Sequence, residues 1–197
     1  MLDRLTRGLP RPWRVTIDWL LTVVGAILIV LAIKHWVVNP YRIPSSSMEP
    51  TLDCARPESG CAGRFSDRVL ACRFCLRFRE PTRGDIVVFR TPPAAAARCG
   101  AGGTYVKRVI GLPGELWEER QGYVYINGRP ISEPYVHADR RDAKTVAPIR
   151  IPHGRYFMMG DNRSASCDSR VWGTVPRKNL IGTVFATYWP PERIAIR

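Results

Sequence analysis

Three serines, Ser45, Ser46 and Ser47, stand between Pro44 and Pro50. A serine hydroxyl is a poor nucleophile until a base within hydrogen-bond reach takes its proton. Proline fixes its own φ and biases the preceding residue towards extended geometry, so this segment reads as rigid and non-helical. The plain alternative is a flexible Ser-rich linker. For a base, only four of the thirty basic residues are lysines: Lys34, Lys107, Lys144 and Lys178. The rest are arginines, which do not lose a proton in a protein. Lys107 lies in Thr104–Ile110, whose alternation and β-branched content predict a strand with Tyr105, Lys107 and Val109 on one face. If that face points inward, desolvation disfavours the ammonium and makes a neutral amine available. If it lies on a sheet edge, Lys107 is an ordinary exposed lysine. A third segment, Gly160–Arg170, follows an apolar strand at Arg155–Met159 and is rich in side chains that hydrogen-bond backbone or each other, as holding a catalytic geometry requires. A turn with surface ion pairs has the same composition.

The elements that must position these residues follow from composition. The 197 residues allow one compact domain with short appendages. Seventeen prolines and sixteen glycines between short apolar runs predict a mostly β fold, a compact antiparallel domain. Tyr123–Ile131 reads as a hairpin turning at Asn127-Gly128, part of a small second subdomain. The net charge of +13 raises nucleic acid as a partner, but the basic residues are spread along the chain and no nucleic-acid motif occurs, which argues against it.

From Ile17 to Val38 the chain is almost continuously apolar, and Trp19–Ile33 carries no charge. Its length and lack of a polar face predict a single spanning helix, and Lys34-His35-Trp36 offers no small-x-small site for removing it. Arg4, Arg7, Arg11 and Arg14 against Asp3 place the N-terminus on the cytoplasmic side. The expected organisation is therefore a basic tail over 1–16, an anchor over 17–38 and an extracytoplasmic β-rich domain over 39–197 behind one N-terminal transmembrane helix.

Read in order, PSSSMEPTL from Pro44, RGDIVVF from Arg83, TYVKRVIGLPGE from Thr104 and GDNRSASCDSR from Gly160, with VWG after it, resemble the bacterial type I signal peptidase family. The resemblance runs from the anchor to about Trp189. It implies a membrane-bound serine endopeptidase with no cofactor and no metal, whose partners are signal-peptide-bearing precursors and the lipid bilayer. Residue by residue, it implies Ser47 as nucleophile, Lys107 as general base, Ser45 as an oxyanion donor beside the Ser47 amide, and Ser166 as the group orienting the lysine. Asp168 and Arg170 match a supporting ion pair, and Ile43, Met48 and Tyr105 match residues lining pockets for small side chains. The sequence departs from the family pattern at Ser164, Ala165 and Glu115.

The six cysteines at 54, 61, 72, 75, 99 and 167 suit disulfides outside the cytoplasm. Cys54 and Cys61 are expected to pair locally, and Cys99 to reach Cys167, since their segments flank the lysine and its orienting loop. Cys72 and Cys75 fall in Val69–Phe78, which reads as a strand and would put them on opposite faces; their state is left open. Neither His137 nor His153 sits in a compact motif with an acidic partner, as a Ser-His protease would need. A self-cleaving Ser-Lys repressor would need a DNA-binding domain in place of the anchor. The rival of another class is a non-catalytic membrane-tethered peptide-binding module.

Overall fold

The computed structural model describes residues 10–36, 38–58, 60–100 and 102–197. The chain divides into two compact units, Met1–Val38 and Asn39–Arg197. In the first, helix α1 runs over Arg11–Trp36, and its described apolar side chains, such as Leu20, Val24, Leu28 and Leu31, are exposed. Among the described residues no helix is long and apolar enough to cross a membrane. The side chains at 11, 14 and 32–36 and all of residue 37 lie outside the described residues, and Val38, the last residue of the expected span, begins a strand. Asp3, Arg4 and Arg7, used to orient it, lie outside them too.

The second unit is mostly antiparallel β. Its strands are β1 (Val38–Arg42), β2 (Arg68–Cys72), β3 (Ile86–Arg90), β4 (Thr104–Gly111), β5 (Leu116–Arg120), β6 (Tyr123–Ile126), β7 (Arg129–Pro130), β8 (Val146–Arg150), β9 (Arg155–Met159), β10 (Val175–Pro176), β11 (Leu180–Trp189) and β12 (Ala195–Ile196). Helices α2 (Pro93–Cys99) and α3 (Ser169–Trp172) are short. The larger sheet runs β1-β2-β11-β3-β4-β9-β10 with β12 added on β11, and the smaller runs β7-β6-β5-β8. The smaller sheet contains the expected hairpin, with Asn127 and Gly128 both at positive φ, as a tight type I′ turn demands.

Strand alternation explains where the core sits. In β3, Val87 and Phe89 join one cluster with Val109, Met158 and Trp172, while Ile86 and Val88 join another with Ile43, Met48, Leu52 and Val69. In β9, Met158 belongs to the first cluster, but Phe157 and Met159 join Ile110 and Trp117 in a third beneath the smaller sheet. The central strands are thus buried on both faces, which is why their sequences are apolar runs with little alternation. Burying a side chain such as Phe89 or Phe157 contributes ~2–3 kcal/mol each.

One strand expectation fails. Val69–Phe78 is not continuous, because β2 ends at Cys72 and Phe74–Arg77 forms a 3₁₀ turn. Cys72 and Cys75 are disulfide-bonded with their Cα atoms 5.5 Å apart, whereas three residues of extended strand cover ~10 Å. Disulfides also join Cys54 to Cys61 and Cys99 to Cys167.

Candidate active site

Ser47 lies in a single 3₁₀ turn, Ser46–Met48, that leaves the extended Pro44–Ser45 stretch and is stopped by Glu49-Pro50. Asn162 holds this turn from the side: its amide N–H donates to Ser47 O at 3.1 Å and its Nδ2 to Ser46 O at 3.1 Å. Met48 and Ile43 are each at most 2% exposed and fix the segment in the core from below.

Lys107 comes from the middle of β4, which pairs with β3 in a register that sets Lys107 opposite Val87. The strand is interior, so the lysine is not on an edge. Its side chain is 3% exposed, its Nζ is hydrogen-bonded to Ser47 Oγ, and the Tyr105 ring centroid lies 5.5 Å from that nitrogen. Burial lowers the Lys107 pKa from 10.5 to about 8; the carboxylates of Asp168 and Asp161 pull against this shift, and Arg170 adds to it. Ser45 Oγ shares a hydrogen bond of 3.2 Å with Ser47 Oγ, so its hydroxyl stands beside the atom at which an oxyanion would form. Ser47 itself is only 6% exposed. A nucleophile and a desolvated amine in hydrogen-bond contact, with a hydroxyl donor alongside, can carry out acyl transfer.

The loop after β9 supports this pair. Asp168 caps α3 by accepting from the Arg170 amide at 3.2 Å, accepts from the Gly160 amide at 3.2 Å, and takes both Nε and Nη2 of Arg170 at 2.9 Å. Burial drives the Asp168 carboxyl upward, but Arg170, the Ser166 hydroxyl and the Gly160 amide outweigh it and hold the group below its ordinary range. Ser166 is less well served by the expectation of a bond to the lysine. Its Oγ is buried and stands towards the Asp168 carboxylate, which it helps to hold ionised, and among the described residues it makes no bond to Lys107 Nζ; it packs against Gly160, where an added Cβ would stand 2.3 Å from that oxygen and 2.3 Å from Ser47 O. Glycine is needed there because nucleophile turn and orienting loop touch backbone to backbone.

A cleft of about 510 Å³ opens at Ser47 and is lined by Ile43, Ser45, Met48, Tyr105 and Lys107, with Cys99 and Cys167 on its wall. The expected pocket residues therefore converge on the nucleophile, with Ile43 and Met48 as a buried floor.

Several participants are not found by reading the sequence. Arg108, the neighbour of Lys107 on the other face, makes a two-pronged pair with Asp161 at 2.8 and 2.6 Å and stacks 3.9 Å over the Tyr135 ring. Arg163 is fully buried, donating to Gly160 O at 3.0 Å and to both oxygens of Glu133. Arg170 also reaches Asp142 at 2.9 Å and Glu119 at 3.4 Å, and burial pushes the Glu119 carboxyl upward. A usable signal existed for Glu119: it shares its strand face with Trp117, so an acid points inward there. Among the described residues one set of possible metal ligands converges, Glu49, Cys54 and Cys61, but its two sulfurs are bonded to each other, leaving a single carboxylate.

Residues 16–189 match the family described as signal peptidase, peptidase S26. A probable signal peptidase I-2 of Synechocystis sp. is 38% identical over 175 residues, covering 89% of this chain and 74% of that protein. A signal peptidase I of Bacillus licheniformis is 31% identical over 186 residues, 90% of each chain. The crystal structure of a signal peptidase I from Enterococcus faecalis V583 is 32% identical, with a TM-score of 0.44 over 53% of this chain and 97% of that one. With a family match across nearly the whole chain and relatives of this identity and coverage, the chain belongs to the signal peptidase family, peptidase S26, and is a hydrolase of that class.

Proposed function

We propose that this protein removes signal peptides from exported precursors, cleaving after a small-x-small sequence with Ser47 as nucleophile and Lys107 as general base. The observation that carries the reading is the hydrogen-bonded Ser47–Lys107 pair, in which burial keeps the lysine pKa at about 8. Neutral Lys107 Nζ takes the hydroxyl proton as Ser47 Oγ bonds to the scissile carbonyl carbon, and the carbonyl π electrons move to oxygen. That oxyanion is met by the Ser45 hydroxyl and the Ser47 amide, each preorganised donor being worth ~3 kcal/mol of barrier. The C–N bond then breaks, the lysine ammonium gives its proton to the leaving amine, and the signal peptide remains as an ester on Ser47. A water deprotonated by Lys107 attacks the ester, returning the hydroxyl to Ser47 and releasing the carboxylate. Asp168 and Arg170 brace the loop behind the lysine, and Ser166 packs into it at Gly160.

In this reading Ile43, Met48 and Tyr105 receive the small side chains of an extended substrate, which adds as a strand beside Ser47. The apolar segment 17–38 anchors the enzyme as a single pass, with residues 1–16 cytoplasmic and the catalytic domain outside. The run without charge over Trp19–Ile33, the exposed apolar side chains of α1 and the arginines ahead of it support the anchor. Three disulfides support an oxidising compartment.

The test is incubation of the detergent-solubilised protein with a signal-peptide-bearing precursor and sequencing of the new N-terminus. Cleavage after small-x-small that disappears in Ser47→Ala and in Lys107→Arg is the expected result. Arginine keeps the charge but does not deprotonate, so substantial turnover in Lys107→Arg removes the lysine from its role.

A further inference from the structure

Segment 190–197 lies beyond the family match, which ends at residue 189, yet it reaches back to the chain just past Ser47. Pro191–Arg193 forms a 3₁₀ turn after β11, and the Arg193 guanidinium is spent on a single neighbourhood. Its Nη2 donates to Pro50 O and Thr51 O, both at 3.1 Å; its Nε donates to the Asp67 carboxylate at 2.9 Å; its Nη1 lies 3.0 Å from Asp53 Oδ2. Arg197 adds a bond to Thr51 O at 2.7 Å.

Asp67 makes the arrangement more than a surface tie. It is fully buried, its backbone O accepts from the Ile43 amide at 2.9 Å, its amide donates to Asp53 O at 2.9 Å, and its Oδ2 accepts from the Asp53 amide at 3.0 Å. Ile43 begins the stretch that carries Ser45 and Ser47, and Pro50, Thr51 and Asp53 end it. Arg193 and Asp67 therefore tie both ends of the nucleophile segment to one node, while Asn162 holds its middle. Without the guanidinium, two carbonyls lose a donor and a buried carboxylate loses its cation, so the segment must relax towards water.

We propose that Arg193 is a positioning residue for the peptidase reaction, setting where Ser47 Oγ stands relative to Lys107 Nζ by clamping the ends of the nucleophile segment through Asp67, Pro50 and Thr51. The assignment rests on Ser47 being the nucleophile. Arg193 does not touch the reacting atoms, so its removal acts on alignment, and displacement of reacting groups on the order of 1 Å costs up to about 100-fold in rate.

The test compares full-length wild type, Ser47→Ala, Arg193→Lys and Arg193→Ala on one signal-peptide substrate. Active sites are counted by titration with a covalent serine-directed probe, and assays run below the onset of each variant's melting curve. The expected result is a kcat per titrated site about 10- to 100-fold lower in Arg193→Ala with KM little changed, and an intermediate kcat in Arg193→Lys, whose ammonium still faces Asp67 but lacks the planar fork. Arg193→Ala with wild-type kcat per site overturns the clamp, even where its melting temperature or its number of sites falls, because that is a purely structural role. If Arg193→Ala does not fold, Arg193→Lys decides: a kcat reduced by about threefold or more supports the clamp, and wild-type kcat overturns it. A wild type that does not cleave, or a Ser47→Ala that does, refutes the assignment of the nucleophile instead, so the two failures are distinguishable.

Discussion

Lys107 is the ionisable centre of the proposed reaction. Its amine must be neutral to accept a proton, and burial has brought its pKa down from 10.5 to about 8. Below that value the neutral fraction falls about tenfold per pH unit, so kcat/KM should rise with pH along a limb centred near 8. A limb centred near 10.5 in a pH–rate profile would mean that the base is an ordinary exposed amine. The same shift acts on stability. Between pH 8 and 10.5 the unfolded chain holds a proton that the folded chain has lost, so folding becomes more favourable as pH rises through that window. Below pH 8 both states are charged and the folded one bears the full cost, on the order of 3 kcal/mol. Lys107→Met should therefore be inactive yet at least as stable as wild type at pH 7, with the advantage shrinking by pH 10.5. Urea melts at the two pH values measure this, and a variant less stable at pH 7 would contradict it. The sequence places Lys107 on a strand with Tyr105 and Val109 but leaves open whether that face points inward; the pairing of β4 between β3 and β9 makes the strand interior and buries the lysine against Ser47 Oγ. The position of the Ser166 hydroxyl is not legible there, since its rotamer is set by close contacts with Gly160 and Asp168 that exist only once the loop is packed.

Elements bring the residues to their places, and here the legibility was uneven. The strands β4 and β9 were readable, the first from its alternation and β-branched residues and the second from its apolar run. Phe74–Arg77 has the apolar composition of a strand but turns, with the Cys72–Cys75 bond and the Leu76 and Phe78 amides closing the 3₁₀ turn. Arg108, Asp161, Arg163 and Glu133 were invisible as partners, because ion pairs between segments thirty or more residues apart leave no periodic trace in sequence. Two predictions belong at this level. Gly160→Ala should slow cleavage and lower the melting temperature, since its methyl would stand 2.3 Å from Ser47 O and 2.3 Å from Ser166 Oγ; an unaltered kcat would show that the two loops can part without cost. Among the disulfides, opening Cys99–Cys167, which closes 68 residues, should cost ~4 kcal/mol by chain entropy, against ~2 for Cys54–Cys61, which closes 7. Denaturant unfolding of the paired Cys→Ser variants tests the order, and equal losses would discount loop length as the cause.

At the scale of the whole molecule, every residue of the site lies in the unit Asn39–Arg197. That unit expressed alone should cleave a short soluble signal-peptide substrate with the full chain's kcat. It should fall behind on a precursor embedded in vesicles, where tethering raises the effective concentration of enzyme to about millimolar. Equal rates on the embedded precursor would leave α1 with no part in delivery. Finally, β4 carries Lys107 and Arg108 side by side, one facing Ser47 and the other facing Asp161. A strand that zips one residue out of register exchanges its faces. The slipped molecule would offer Ser47 a guanidinium, which accepts no proton, and would leave Asp161 a lysine in place of its two-pronged partner. With Lys107 as the proposed base, such a copy would have no proton acceptor beside Ser47, so the alternation of β4 ties proton transfer at Ser47 to the native pairing with β3.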